Sequence, residues 1–456
     1  MKLQAIHFRH VYHFADLKIN FNHSHKPITI IVGDQASGKT AIIKNIYQAL
    51  TWFPARYKDL RTPGVVMLDQ DIMLDRVQAK IDVTIHIPTE FGTLPESDGT
   101  TETDTQSCRW QLYKTLNANG VGISKVELEQ LEQTVTLYNQ VIKKDPVQGL
   151  PLLAYYPAER FVNEVNILSK NNPLVLQQYN AYELASIPYT TFARFFEWFR
   201  EISDIENAQT AQLFQNILKH KDTSNKSNQD FQNTLYLAYS QLHAPSLQAL
   251  KTALRTVIPE ITDIFLEYHP KLQLMVSYKN QTFTYQQLSN TVKNWIGLVG
   301  DLVRRLCLLN PLSLYPCLEG DGVLLIDQID VDLDQYSIQV ILDRLHQAFP
   351  LIQIIATGSH EELLEQADEY QCFHLKNKQL HEVQADSAWQ EYQHIYENLL
   401  KEASQYAEQE LIEPNVDALN AQQLYLQFQA LTEEQQVELK RLIQQGDDLS
   451  PHKSLL

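Results

Sequence analysis

Cysteine is scarce in this chain of 456 residues: Cys108, Cys307, Cys317 and Cys372 stand far apart and form no CxxC pair. That spacing fits neither a disulfide framework nor a zinc ribbon, and the four read as reduced thiols. With 14 Gly and 18 Pro, collagen-like and low-complexity classes are excluded. No apolar run approaches the ~20 residues of a membrane-spanning helix. The opening segment, Met1 to His10, has no apolar stretch of the signal-peptide kind, so the cytoplasm is the expected location. Positive charge is in deficit as well. Lys and Arg number 37 against 55 Asp and Glu, a net charge of −18. An acidic chain is no general polyanion binder; the surplus mainly serves solubility, and any contact with DNA needs a local basic patch.

What is present is core material, 44% hydrophobic and 10% aromatic residues, enough for two or three compact units. Near-alternation at Leu3, Ile6, Phe8, Leu17, Ile19 and Phe21 predicts half-buried strands, and the continuous run Ile28 to Val32 predicts a central one. Ile42, Ile43, Ile46 and Leu50 have helical spacing. Strand character is expected over 63–116, clearest at Ile81 to Ile87, with a polar loop from Pro88 to Gln106. A helix is expected over 124–143 and a buried strand at Leu152 to Tyr156. Residues 160–260 read as mostly helical, with a core-facing stripe at Phe192, Phe195, Phe196, Phe199 and Ile202 and a polar, weakly patterned stretch from Lys219 to Gln232. Strands then recur at 272–278, 323–326, 352–356 and 369–375, with helices at 288–309 and 335–348 between them. That alternation predicts a largely parallel sheet. Beyond about residue 385 the chain is Gln- and Glu-rich and helical in pattern. Thr432 to Gln435 has the capping-box pattern expected to open a last helix, and Gly446 is placed to end it.

The chemistry begins at Gly33-Asp34-Gln35-Ala36-Ser37-Gly38-Lys39-Thr40. This is GxxxxGKT, between a buried strand and a helix, the context a P-loop requires. Its glycines let backbone N–H groups face phosphates, and the helix start adds partial positive charge. Lys39 is expected to reach the β- and γ-phosphates of ATP, and Thr40 to offer its hydroxyl to Mg²⁺. A second half-site is Gly322 to Asp327, four apolar residues ending in a carboxylate able to bind Mg²⁺ through water. About 290 residues separate the two motifs, far more than in a GTPase or a small-molecule kinase.

In these motifs the chain resembles ABC-type ATPases of the RecF, SMC and OLD group, including the ATPase subunits of two-gene anti-phage systems such as Septu and the related retron and PARIS ATPases. The likeness covers most of 1–375. It is carried by the P-loop, Leu150 to Arg160, Phe195 to Arg200, Leu288-Ser289, Gly300-Asp301-Leu302 and Leu324 to Asp330. It implies an α/β P-loop ATPase head with a first lobe at 1–160, a helical insertion at 161–262, a second lobe at 263–380 and a helical tail at 381–456. It also implies a composite site in which Ser289, in the signature-like segment, faces the P-loop of another copy. The expected assembly is therefore a head-to-head dimer or larger, with a separately encoded nuclease as partner and the tail as its docking region. The 80 or so residues after 375 are too few and too poor in strands for a fused Toprim nuclease.

Three departures stand out. The residue after Asp327 is Gln328, where the group has the Glu that orients the attacking water. The signature reads Leu288-Ser289-Asn290-Thr291, without its Gly. After the strand at 352–356, Gly358 stands where the group has a phosphate-contacting His, and His360 lies two positions on. A lone Gln328 would suit a trap that holds ATP unhydrolysed; three losses together point to divergence. The expected site binds ATP and Mg²⁺ and hydrolyses slowly or not at all, the alternative being an active RecF-like repair ATPase working on DNA. Arg160 is a candidate contact to nucleotide or subunit, Gln70 and Asp71 fall near the group's metal-sensing loop, and Arg304-Arg305 read as a solvated face, the alternative being a contact to a partner or DNA. His7, His10, His13, His23 and His25 read as exposed edge residues.

Overall fold

The computed structural model describes residues 1–94, 106–160, 178–182, 188–221, 245–365 and 367–383. Along the chain come β1 (Lys2–Val11), β2 (Phe14–Asn20), β3 (Ile28–Gly33), α1 (Lys39–Leu50), α2 (Trp52–Lys58), β4 (Gln78–His86), β5 (Ser107–Leu116), β6 (Gly122–Glu127), α3 (Glu129–Lys144) and β7 (Leu152–Tyr156). Then follow α4 (Pro188–Lys221), α5 (Pro245–Val257), β8 (Ile261–Glu267), β9 (Gln273–Tyr278), β10 (Gln281–Thr284), α6 (Asn290–Leu309), β11 (Gly322–Ile326), α7 (Gln335–Ala348), β12 (Ile352–Gly358), β13 (Gln371–Lys376) and β14 (Gln379–Val383). Among the described residues no helix is long and apolar enough to cross a membrane. The tail helices expected beyond 385, most of the stretch from Lys219 to Gln232 and much of the loop before Gln106 lie outside the described residues.

The expected parallel sheet exists, with order β14-β13-β3-β12-β11-β7, and only the β13–β14 pair is antiparallel. Its central strands β3, β11 and β12 are buried at every residue, as their unbroken apolar runs require of strands covered on both faces. A second sheet, β2-β1-β4-β5-β6, is antiparallel throughout. In β4 the residues Ala79, Ile81, Val83 and Ile85 alternate inward, which gives it one packed face. The indole N–H of Trp110 on β5 donates to the carbonyl of Ala49 at 3.1 Å and ties this sheet to the end of α1.

Two sequence expectations need correction here. Residues 124–127 are strand, not the first turn of a helix: Ser124 to Glu127 continue β6 against β5, and α3 starts at Glu129. Val126 had no clear partner face in one dimension, so the following helical period absorbed it. The stretch 63–77 is irregular, with a short 3-10 turn at Asp69–Asp71. The three-stranded antiparallel sheet β10-β9-β8 also went mostly unread, since only β9 was expected.

The aromatic stripe of α4 packs on α6. Phe192, Phe195, Phe196 and Phe199 are all buried. A Cβ at Gly300 would stand 2.4 Å from Phe195, so the two helices approach too closely for any larger residue there.

Candidate functional site

The parallel strands deliver the candidate residues to one end of their sheet, the carboxyl end, where open α/β sheets place ligands. β3 ends at Gly33 and runs into the P-loop; β11 ends at Ile326, just before Asp327; β12 ends at Gly358; β7 ends at Tyr156, four residues before Arg160. Register fixes this convergence: Ile326 pairs with both Ala356 and Tyr156, and Gly358 pairs with Val32.

The loop from Gly33 to Thr40 curls through two left-handed residues, Ala36 (φ 59°) and Gly38 (φ 108°). Helix α1 has no acidic residue in its first turn, so its exposed amide dipoles are not neutralised there. Lys39 is buried, and its Nζ donates to the carbonyls of Gly33 (2.5 Å) and Asp34 (2.8 Å). Burial lowers the Lys39 pKa, and Asp330, Asp327 and Asp34 act against that fall. Ser37 Oγ is buried with no hydrogen-bond partner, while Asp34, Gln35, Ala36 and Thr40 are exposed.

Asp327 is fully buried. One carboxylate oxygen accepts the Thr357 hydroxyl at 2.5 Å. The other, Oδ2, is buried without a partner. An ionised carboxylate oxygen left bare in the interior is costly, and a hard divalent cation with oxygen ligands is the group that would satisfy it. The donor set therefore fits Mg²⁺, with Asp327 and the Thr40 hydroxyl as the residues to hold it. Bound Mg²⁺ would neutralise phosphate charge there.

Gln328 is half-buried on a turn with φ 46°. Its amide can orient a water but cannot take a proton from one. Asp330, also buried, accepts the backbone N–H of Ser359 (2.6 Å) and of His360 (2.9 Å), and lies 2.6 Å from His360 Nδ1. The His360 side chain is half exposed. Ser289 is the N-cap of α6, accepting the Val292 N–H at 3.3 Å. The Thr291 hydroxyl nearby donates to the Asp332 carbonyl at 3.2 Å, so the start of α6 touches the turn after Gln328.

Residues 2–261 match the family described as an AAA domain. The chain belongs to that AAA-domain family. It is similar to the retron Ec83 probable ATPase of Escherichia coli, 27% identical over 413 residues, covering 83% of this chain and 72% of that protein. It is also similar to the retron Vc95 probable ATPase of Vibrio cholerae, 26% identical over 362 residues, covering 74% of this chain and 66% of that protein. Among solved structures, the SMC head bound to the C-winged helix domain of ScpA matches at TM-score 0.44 and 12% identity, over 86% of this chain and all of that one. An SMC head from Pyrococcus furiosus matches at TM-score 0.43 and 12% identity, over 87% of this chain and 99% of that one. The chain is thus a P-loop protein of the AAA-domain family that resembles retron ATPases.

Several residues differ from their sequence reading. Arg304 and Arg305 are neither solvated nor free to meet a partner: both are buried around Asp301. Arg304 Nε donates to Asp301 Oδ1 (3.0 Å), while Arg305 Nε (2.7 Å) and the Tyr156 hydroxyl (2.9 Å) donate to Oδ2. Burial alone would raise the Asp301 pKa, yet Arg305 and Arg304 hold it below the ordinary carboxylate value. The i, i+3, i+4 spacing from Asp301 was the available signal. Of the five N-terminal histidines only His25 is exposed. His13 went unrecognised. Its Nε2 donates to the Ser37 carbonyl at 3.1 Å, and its ring covers Gly38 closely enough that a Cβ there would lie 2.2 Å from Nε2. Gln70 is exposed, and buried Asp71 accepts the Leu68 N–H at 2.7 Å within its own turn. Arg160 holds main-chain carbonyls of the Asp327–Gln328 turn.

Proposed function

We propose that this protein is an ATP-binding regulatory subunit of an anti-phage defence complex, with slow or absent hydrolysis, that controls a separately encoded nuclease. One observation carries the reading. The P-loop lysine and a metal-type carboxylate with a bare oxygen are kept at one sheet end, while the residue after that carboxylate is Gln328. Such a site keeps what binding needs and lacks the proton acceptor of turnover. Losing one transition-state group typically costs about 10²-fold or more in rate. Similarity to two retron ATPases supports the defence context.

In this reading the backbone amides of Gly33 to Thr40 cradle the phosphates, and Lys39 leaves the Gly33 and Asp34 carbonyls to meet them. Asp327 and Thr40 hold Mg²⁺. Ser289 faces the P-loop of a second copy in a head-to-head dimer. The Gln- and Glu-rich tail after 381 docks the nuclease, as in Septu-like two-gene systems, and ATP acts as a clamp.

The test is incubation of the full-length protein with Mg-ATP, followed by phosphate assay and identification of the retained nucleotide. Intact ATP retained with negligible phosphate is the expected result. Steady release at tens per minute refutes the clamp, and release stimulated by DNA favours a RecF-like repair ATPase. No binding at all leaves a structural role that needs no nucleotide.

A further inference from the structure

Gln328 is a non-glycine residue held at φ 46°, a conformation that persists only where its surroundings impose it. The restraints are specific. The peptide unit between Asp327 and Gln328 is held at both ends: its carbonyl accepts from Arg160 Nη1 at 2.6 Å, and its N–H donates to the Thr357 hydroxyl at 2.8 Å. The next unit, between Gln328 and Ile329, is held the same way: its carbonyl accepts from Arg160 Nη2 at 2.7 Å, and its N–H donates to the Thr357 carbonyl at 2.8 Å. Thr357 also grips the Asp327 carboxylate at 2.5 Å. Arg160 thus forms one jaw and Thr357 the other, with the Gln328 turn between them.

We infer that Arg160 is a positioning residue: its guanidinium fork sets the turn that aims the Asp327 carboxylate and the residue-328 side chain at the nucleotide site. The fork geometry is the point. Two nitrogens of one rigid plane reach two successive carbonyls, which the single nitrogen of a lysine cannot do. Ordinary use of an arginine beside acids is a salt bridge with a carboxylate. Arg160 has Asp327, Asp330 and Asp332 around it, yet among the described residues its guanidinium donates to the main-chain carbonyls of Pro157, Asp327 and Gln328. Its target is backbone shape.

Arg160→Lys keeps the charge and removes the fork, so it isolates geometry. The first measurement is amide hydrogen exchange on the full-length protein without nucleotide. The amides of Gln328 and Ile329 are expected to exchange about tenfold faster or more in the variant, since the peptide unit that carries each N–H loses the Arg160 brace on its carbonyl. Those of Ile354 and Ile355, inside β12, stay unchanged. The second is ATP retention with Mg²⁺ and with EDTA. A loss of about tenfold is expected with Mg²⁺ only, because Asp327 is no longer aimed. Wild-type exchange in the variant overturns the inference, as does faster exchange throughout β12, equal loss of ATP with and without metal, or tighter binding with Mg²⁺. Only the retention arm rests on the functional reading above. If the wild type retains no ATP, that reading fails, and the exchange arm still decides the role of Arg160.

Discussion

If the protein holds ATP as proposed, Gln328→Glu should convert it into a hydrolase. The change is nearly isosteric, and the turn that carries residue 328 is fixed through its backbone by Arg160 and Thr357, not through its side chain. The side chain is half-buried, so no core packing changes. The cost is electrostatic. A fourth carboxylate joins Asp327, Asp330 and Asp332, and two like charges about 6 Å apart repel by about 3 kcal/mol at an effective dielectric of about 20. Arg160 and Lys39 lie among these acids and offset much of that repulsion. The gain is a general base, worth about 10²–10⁴ in rate, or about 3–5 kcal/mol of barrier. The expected outcome is phosphate release at least 100-fold above wild type at saturating Mg-ATP, with Gln328→Ala staying at the wild-type level. If Gln328→Glu binds ATP and releases phosphate within threefold of wild type, position 328 is not where the water is activated, and the argument from the missing carboxylate fails.

Other outcomes follow from the same contacts. Lys39→Ala removes the only side-chain cation in the P-loop, and ATP retention should fall about 100-fold or more in a filter-binding assay; unchanged retention would remove this loop as the phosphate site. Asp301→Ala removes the carboxylate that accepts from Arg304, Arg305 and the Tyr156 hydroxyl, leaving the buried positive charge of the two arginines uncompensated there, so urea denaturation should show a loss of about 3–5 kcal/mol; a loss below about 1 would mean the cluster is hydrated. His23 is stacked on His86 with ring centroids 5.5 Å apart. Burial first, then His86, Lys2 and the N-terminus, push its pKa down to about 4. Because a free histidine titrates near ~6.5, the unfolded chain binds more protons between those values, and stability present above that window is lost as pH falls through it. His23→Gln should flatten this fall in denaturation midpoints measured from pH 7 to 4, and an unchanged slope would refute the assignment.

What the sequence made legible was chemistry packed into short segments. The P-loop announces itself in eight residues, and β11 with Asp327 in six, because strand burial and the group it presents are neighbours in the chain. Arg160 stood in view as a candidate, yet its role depends on carbonyls 167 and 168 residues away. No periodicity reports such a contact. His13 was hidden for a similar reason. It lies 24 residues before Ser37, in a strand hairpin whose fold over the P-loop is a tertiary event. Arg304 and Arg305 were misread for a different cause: charge in a helix suggests solvent, and only the position of α6 between α4 and β7 makes their burial around Asp301 possible.

The departures at Gln328 and at Gly358 looked like separate losses in one dimension. In three dimensions they are one piece of structure. Thr357, at the end of β12, holds the Gln328 amide and the Asp327 carboxylate. Asp330, two residues after Gln328, takes up the backbone of Ser359 and His360 and the ring of His360. A Cβ at Gly358 would stand 2.2 Å from Leu363 and 3.4 Å from Asp330, so Asp330 and the Leu363 side chain have closed on the position where the group has its histidine. A single exchange of Glu for Gln at 328 would leave the loop after β12 untouched. The two segments instead fit each other, through a carboxylate bonded to three groups of the neighbouring loop. That mutual fit makes restoring the base by Gln328→Glu a test of one missing group inside an otherwise settled site.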